Sequence, residues 1–216
     1  MSEPTRDDAD RLSTPSDSLE ILERRVTEKP DSANAHYNLG LALAAGGFWD
    51  RGATEFRAAI RLKPGLLEAR INLAGLLLQT GDYDGCIEES LKALQYRPNI
   101  VEGSINIGLA YFNKGNSELA IDSFSRALAI DPDSWIAHVN IANAFLSLGE
   151  IDKCIEHNSK ALAMNPGSGM AHNNLAVALY QKGRLEEARE QLREAMELGY
   201  AVHPQFVQVL EVTPAS

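Results

Sequence analysis

A proline recurs every 34 residues through most of the chain, with no insertion between copies, at Pro30, Pro64, Pro98, Pro132 and Pro166. Proline lacks a backbone N–H and clashes with the preceding helical turn, so it marks the end of a helix rather than its interior. A constant period of this length indicates tandem copies of one supersecondary unit. We therefore divide the central region, residues 31–200, into five repeats: 33–66, 67–100, 101–134, 135–168 and 169–200.

Two positions, counted from the first residue of each repeat, indicate where helices join. The fifteenth position is always glycine, which gives the backbone the freedom for a tight turn between helices. These glycines are Gly47, Gly81, Gly115, Gly149 and Gly183. Three positions later an acidic residue is expected to cap the next helix and to favour its dipole. These acids are Asp50, Asp84, Glu118, Asp152 and Glu186.

Each repeat is therefore predicted to be a helix–turn–helix hairpin that buries its apolar face by stacking on its neighbours. The third repeat resembles the tetratricopeptide repeat family most closely, through Ile107–Gly108, Tyr111, Ala120, Phe124, Ala127 and Pro132. The resemblance covers about residues 33–200. It implies an all-α fold, a right-handed α-solenoid of stacked hairpins that forms the superhelix of this family.

Both ends of the repeat region are expected to be capped. Residues 17–30 are predicted to form an N-terminal capping helix, in which Asp17 and Glu20 give the pattern of a capping box. Residues 1–16 are polar and acidic, and we expect a mobile tail. Residues 201–216 are expected to contain a C-terminal capping helix, which starts near Pro204, followed by a tail.

Composition argues against several classes of partner. Thirty acidic residues against twenty basic residues give a formal charge of −10. Nucleic acids and anionic membranes attract basic surfaces, so neither is expected as a partner. No apolar run approaches the roughly 20 residues that span a bilayer, and the N-terminus has no secretory signal, so we expect a cytoplasmic chain without membrane insertion. Cys86 and Cys154 are too few for a disulfide framework and are interpreted as small core residues.

Three histidines share the fourth position of their repeats, where the family usually has tryptophan. This position holds His36, Arg70, Ser104, His138 and His172. A zinc site needs about four ligands around one ion. The same position in successive hairpins is too widely spaced for that. The sequence also contains no nucleophile–base pattern and no phosphate-binding loop. We therefore expect no metal, no cofactor and no enzymatic activity.

An asparagine occupies the sixth position of every repeat, although asparagine is less favourable than alanine inside a helix by roughly 0.5 kcal/mol. The five residues are Asn38, Asn72, Asn106, Asn140 and Asn174. A primary amide presents a donor and an acceptor side by side, as a peptide bond does. Repeated along the flank of the first helices, these amides would bind the backbone of an extended chain. The alternative, that each amide links adjacent helices or fills solvated space, remains open at this point.

Helical period and the family resemblance together place further side chains of the first helices in a concave groove. They are Tyr37, Ile71, Ile105, Val139, Asn143, Glu68, Glu102, Phe112 and Tyr180. This surface is mostly apolar and faintly acidic. It lacks the lysine and arginine residues with which chaperone adaptors of the family hold a carboxylate. We expect it to favour a protein or peptide segment with apolar and basic side chains.

The leading hypothesis is a non-enzymatic scaffold or adaptor that binds a peptide segment of a partner protein in this groove. One alternative is a structural platform that self-associates through its end helices. The other is an accessory or assembly subunit of a larger enzyme complex. Light scattering distinguishes the first two, because self-association produces oligomers that depend on protein concentration.

Overall fold

A computed structural model describes residues 18–211, which form twelve α-helices and no strand. The predicted all-α fold of successive helical hairpins is confirmed. The expected N-terminal tail, Asp17 and residues 212–216 lie outside the described residues. The chain divides into two compact units, Met1–Ala110 and Tyr111–Ser216, which we call unit 1 and unit 2.

Unit 1 contains a single helix, two hairpins and most of a further helix. These are α1 (Leu19–Glu28), α2 (Ala33–Ala45), α3 (Trp49–Leu62), α4 (Leu67–Thr80), α5 (Tyr83–Tyr96) and α6 (Val101–Asn113), the last of which crosses into unit 2. Helix α1 packs on α2 through Leu22, which clusters with Leu39 and Leu43. The N-cap of α1 is Ser18, whose hydroxyl accepts a hydrogen bond from the N–H of Ile21. The sequence predicted this role for Asp17 instead.

Unit 2 contains the end of α6, one helix, two hairpins and a short final helix. These are α7 (Ser117–Ile130), α8 (Trp135–Ser147), α9 (Ile151–Met164), α10 (Gly169–Gln181), α11 (Leu185–Glu197) and α12 (Pro204–Leu210). Helix α12 packs on α11 and buries Leu210 in a cluster with Leu175, Leu179 and Leu192. The Nε–H of Arg189 donates to the carbonyl of Leu210 at 2.8 Å. This contact fixes the end of α12 on the last hairpin.

The predicted turn glycines are confirmed by their backbone conformation. Gly47, Gly81, Gly115, Gly149 and Gly183 have φ between +74° and +86°. A Cβ added at these positions would meet no other atom within 4 Å. The left-handed backbone, rather than lack of space, therefore requires glycine at the turn between the two helices of a hairpin.

The acidic residues after these turns do not act as the predicted N-caps. They occupy the second position of each following helix, where they favour the helix dipole. The side chains that cap are two residues earlier, and they are Asp82 for α5 and Asn116 for α7. Serine caps three of the first helices, through Ser32, Ser134 and Ser168. No sequence-based prediction included these serines.

The first hairpin packs closely because Gly40 faces Phe56. A Cβ on Gly40 would lie 2.7 Å from two atoms of the Phe56 ring. The next hairpin has Ala74 and Ser90 at the two corresponding positions. A larger residue on one helix is therefore matched by a smaller residue on the other, which keeps interhelical packing dense.

Candidate functional site

Two adjoining cavities in unit 1 have volumes of about 310 and 400 Å³. They share Ile71, Asn72 and Glu102. The smaller cavity is also lined by Tyr37, Leu67, Glu68, Arg97, Asn99 and Ile100. The larger is also lined by Leu41, Ala44, Phe56, Gly75, Leu76, Gln79 and Asn106. Both volumes lie in the range of ligand-binding clefts, and we call this continuous surface the unit-1 groove.

Helical spacing explains why these side chains share one surface. On α4, Glu68, Asn72, Gly75 and Gln79 follow one another at intervals of three or four residues, which places them on one face. Helices α2 and α6 contribute residues on either side of this face. The groove thus brings together six of the residues that the sequence predicted for a site. They are Tyr37, Glu68, Ile71, Asn72, Glu102 and Asn106.

Two asparagines of the groove donate to the preceding first helix. Nδ2 of Asn72 donates to the Tyr37 hydroxyl at 3.1 Å, and Nδ2 of Asn106 donates to the Ile71 carbonyl at 3.5 Å. The alternative interpretation, in which an amide links adjacent helices, therefore applies to both residues. Their Oδ1 atoms have no protein partner among the described residues, so each retains an acceptor.

The Tyr37 hydroxyl stays protonated at neutral pH. Burial raises its pKa, the hydrogen bond from Asn72 lowers it, and the nearby charge of Glu68 raises it further. Because the hydroxyl oxygen accepts from Asn72, its proton remains free to donate. Tyr37 and Asn72 therefore present a donor and an acceptor next to each other in the groove.

The prediction of five equivalent amides is wrong. Asn38 is 4% exposed and Asn174 is 7% exposed. Nδ2 of Asn174 is buried without a hydrogen-bond partner. Neither amide is open to a peptide in this structure. Asn140 is half-buried, like Asn72 and Asn106, but it lines neither cavity.

The remaining predicted residues do not line the cavities either. Val139 is 2% exposed and packs with Ala161 and Ala171, so the groove contact predicted for it is wrong. Tyr180 in α10 packs edge-on against Phe206 of α12, with ring centroids 5.7 Å apart. Three others are half-buried outside the cavities, and they are Ile105, Phe112 and Asn143.

Three of the fourth-position residues connect the two helices of a hairpin to the preceding turn. Nδ1 of His36 lies 2.6 Å from Oε2 of Glu55, and its Nε2 lies 2.9 Å from the carbonyl of Pro30. Arg70 donates to Glu89 and Pro64 in the same way, and His172 pairs with Gln191 and Pro166. We call these contacts the hairpin braces. They give the histidines a structural role, which the sequence analysis did not predict.

The brace of the α8–α9 hairpin consists of two histidines. Nδ1 of His138 lies 3.0 Å from Nδ1 of His157. Burial, then the charge of Lys160, lowers the pKa of His138. Burial and the neighbouring His138 lower the pKa of His157 to about 4. Both rings are therefore neutral at pH 7, and one Nδ1–H donates to the other ring.

Both thiols are also buried within the helical packing. Cys86 and Cys154 are free, and burial raises the pKa of each to about 11. A thiol with such a pKa is protonated and unreactive at neutral pH. Within residues 18–211, no three histidine, cysteine, aspartate or glutamate side chains converge as metal ligands would.

Ten of the sixteen groove residues were not among the site residues named in the sequence analysis, and they include Arg97, Asn99, Gly75 and Gln79. Arg97 and Asn99 flank the repeat proline Pro98, in the turn between α5 and α6. Gly75 and Gln79 lie on the α4 face already described. The signal for Gly75 was present, because a glycine inside a helix is unfavourable and needs a reason.

Sequence models of the tetratricopeptide repeat (TPR) match residues 7–66, 43–99 and 139–199, and a second TPR model matches residues 108–149. The chain belongs to the tetratricopeptide repeat family. No curated protein sequence matches this TPR chain significantly. No helix within residues 18–211 has both the length and the apolar character needed to cross a membrane.

Solved TPR structures have the same fold. YrrB, described as a TPR protein with an unusual peptide-binding site, is 17% identical, with 90% of this chain and 100% of YrrB covered and a TM-score of 0.65. TTC0263, a thermophilic TPR protein from Thermus thermophilus, is 25% identical over 82% of this chain and 96% of its own, with a TM-score of 0.65. MamA from Desulfovibrio magneticus is 22% identical over 77% and 94%, with a TM-score of 0.68.

Proposed function

We propose that this TPR protein is an interaction scaffold that holds a peptide segment of a partner protein in the unit-1 groove. TPR proteins are generally protein-interaction scaffolds, and the similar YrrB is described as having a peptide-binding site. The observation that carries the proposal is the convergence of six predicted site residues on two adjoining cavities. We expect no catalysis at this surface.

The groove offers hydrogen bonds that suit a peptide backbone. The Tyr37 hydroxyl supplies a donor and Oδ1 of Asn72 an acceptor, which matches the C=O and N–H of one peptide unit. Oδ1 of Asn106 supplies a second acceptor further along the groove. These contacts depend little on the sequence of the segment, so side chains must provide the specificity.

The length and lining of the groove indicate how long the bound peptide segment is and which side chains it carries. The α4 face from Glu68 to Gln79 spans about 16 Å, since a helix rises about 1.5 Å per residue. An extended chain covers that length with about five residues. Leu41 and Ile71 favour apolar side chains in the segment. The negative charge of the chain, −10, favours basic rather than acidic ones.

Peptide selection tests this function. A phage library of random 12-residue peptides is selected on the full chain, and binders are measured by calorimetry. We expect Asn72→Ala with Asn106→Ala to weaken binding about tenfold, the effect of losing two hydrogen bonds. The control is Asn140→Ala with Asn143→Ala in unit 2, which should leave affinity unchanged. Unchanged affinity in the first variant, with a lower melting temperature, would mean that these amides only support the fold.

A further inference from the structure

Gly75 is a glycine that the packing of the protein does not require. It lies inside α4, on the wall of the larger cavity. A Cβ added to Gly75 would meet no other atom within 4 Å, and its φ is not positive. Glycine destabilises a helix interior relative to alanine, so neither conformation nor packing accounts for its presence.

Other helical glycines of unit 1 contrast with Gly75. A Cβ on Gly40 would lie 2.7 Å from Phe56, and a Cβ on Gly52 would lie 3.2 Å from the carbonyl oxygen of Gly40. In the other repeats the position of Gly75 holds a larger residue: Leu41, Leu109, Asn143 and Val177. Gly75 therefore opens space at one point of the groove wall, where another chain can approach the α4 backbone closely.

Two carboxylates of the groove form no ion pair among the described residues. They are Glu68 and Glu102, and both line the smaller cavity. Elsewhere in unit 1, Glu23 pairs with Arg51 at 2.6 Å and Glu89 with Arg70 at 2.7 Å. Among the described residues that line the two cavities, the one basic side chain is Arg97. The groove therefore has a net negative charge.

Several hydrogen-bond acceptors without a protein partner face the groove. The Ile71 carbonyl can only accept, so the amide of Asn106 must point its Nδ2 toward Ile71 and its Oδ1 away. Oδ1 of Asn72 and the carboxylates of Glu68 and Glu102 add further acceptors. A ligand group with several N–H donors and a positive charge matches this set, and guanidinium and ammonium groups have both properties.

We propose that the partner segment passes over Gly75 with its main chain against α4 and directs an arginine or lysine side chain toward Glu68 and Glu102. This inference rests on the proposed function and identifies the side chain that the groove selects. Glu68 precedes Gly75 by seven residues, or about 10 Å along α4. The basic residue is therefore expected about three positions from the residue that contacts Gly75.

The test uses the same random 12-residue peptide library with the full chain. We expect the selected peptides to be enriched in arginine or lysine at one position. Glu68→Gln with Glu102→Gln should then weaken the best peptide at least tenfold. The same variant should have little effect on a peptide in which that basic residue is replaced by glutamine. The control variant, Glu20→Gln with Glu88→Gln, removes two exposed acids outside the groove and should change affinity less than twofold.

Gly75→Ala is a second test, because it should raise the melting temperature and lower the affinity for the peptide. Alanine is the better helix former, so this variant should melt at a higher temperature than wild type. Its methyl group occupies the space in the groove wall, so affinity for the selected peptide should fall about fivefold. If Gly75 has no role in binding, the variant should melt at the higher temperature without losing affinity. This result would contradict the proposed path of the partner segment over Gly75.

The remaining outcomes separate this inference from the proposed function. In one outcome the selected peptides lack a basic residue and still bind more weakly when Asn72 and Asn106 are replaced by alanine. This result would contradict the recognition of a basic side chain and would leave the groove as the binding site. If the library gives no binder, or binders that no groove variant weakens, the inference and the proposed function both fail.

Discussion

The two units share one repeat pattern but present different chemistry at the second position of their first helices. In unit 1 this position holds Asn34, Glu68 and Glu102, and the two glutamates line the groove. In unit 2 it holds Ile136 and Met170, which are 44% and 42% exposed. A constant period therefore fixes where a side chain projects, while the residue chosen at each copy decides what the surface can bind.

The fifth position shows that even the exposure of a side chain varies between copies. Ile71 in unit 1 is half-buried and shared by both cavities. Val139 in unit 2 is buried against α9 and α10, through Ala161 and Ala171. Both cavities described above lie in unit 1. The peptide binding proposed above therefore concerns unit 1.

The hairpin braces differ between the units in the same manner. Those of unit 1 join a basic or titratable side chain to a carboxylate, as in Arg70 with Glu89. Those of unit 2 join His138 to His157 and His172 to Gln191, with no carboxylate in either pair. The lowered pKa of His157 therefore makes the brace of the α8–α9 hairpin in unit 2 sensitive to acid.

The largest effect is expected from Gly40→Ala, which concerns packing in unit 1. The new methyl group meets the Phe56 ring, and overpacking of this kind costs about 3 kcal/mol, of which the better helix propensity of alanine offsets about 1 kcal/mol. The matched control is Ala176→Gly, at the equivalent position of unit 2, which should cost about 1–2 kcal/mol through helix propensity and the loss of a buried methyl group. Urea unfolding measures both. Hydrogen exchange should show the loss of protection from Gly40→Ala in α2 and α3. Equal loss in α10 and α11 would contradict the assignment of the two units.

A smaller effect is expected when the pH is lowered, and it concerns unit 2. The folded chain holds the pKa of His157 at about 4, below the ordinary 6.5. Between these values the unfolded chain binds more protons, so stability falls as pH drops from about 6.5 toward 4. Glu156 and Lys160 also act on this pair, with opposite signs. We expect a loss of roughly 1 kcal/mol because the ring is partly exposed, or about 2–4 °C in melting temperature.

The chain itself supplies a matched variant for the pH experiment. Gln191 occupies the position of His157 in the last repeat and hydrogen bonds to His172. His157→Gln should therefore keep the brace and reduce the difference in melting temperature between pH 7 and pH 5. If His157→Gln shows the same loss as wild type, the acid sensitivity comes from other groups.

The sequence was sufficient for features that each repeat determines locally. The turn glycines, such as Gly81, follow from backbone conformation alone, and the helices follow from spacing and proline boundaries. The predicted site residues on α4 also line one groove, as helical period together with the family resemblance indicated. Cys86 and Cys154 are buried small residues, as their position in the repeat indicated.

Features that depend on contacts between helices could not be predicted from the residues at one repeat position. Asn38 and Asn72 occupy the same repeat position, but packing around α2 buries the first, while the second lies in the groove. The braces join positions 19 residues apart, such as His36 and Glu55, and helical spacing within one element does not reveal them. The role proposed for Gly75 depends on the empty space beside it, which only the three-dimensional structure shows.

Hydrogen exchange of the full chain, with and without a peptide selected from the library, most directly tests whether binding is confined to unit 1. We predict slower exchange on binding in α4 and in the part of α6 that carries Glu102 and Asn106, with little change in α8 and α10. Protection that is largest in α8 and α10, with α4 unchanged, would contradict the account.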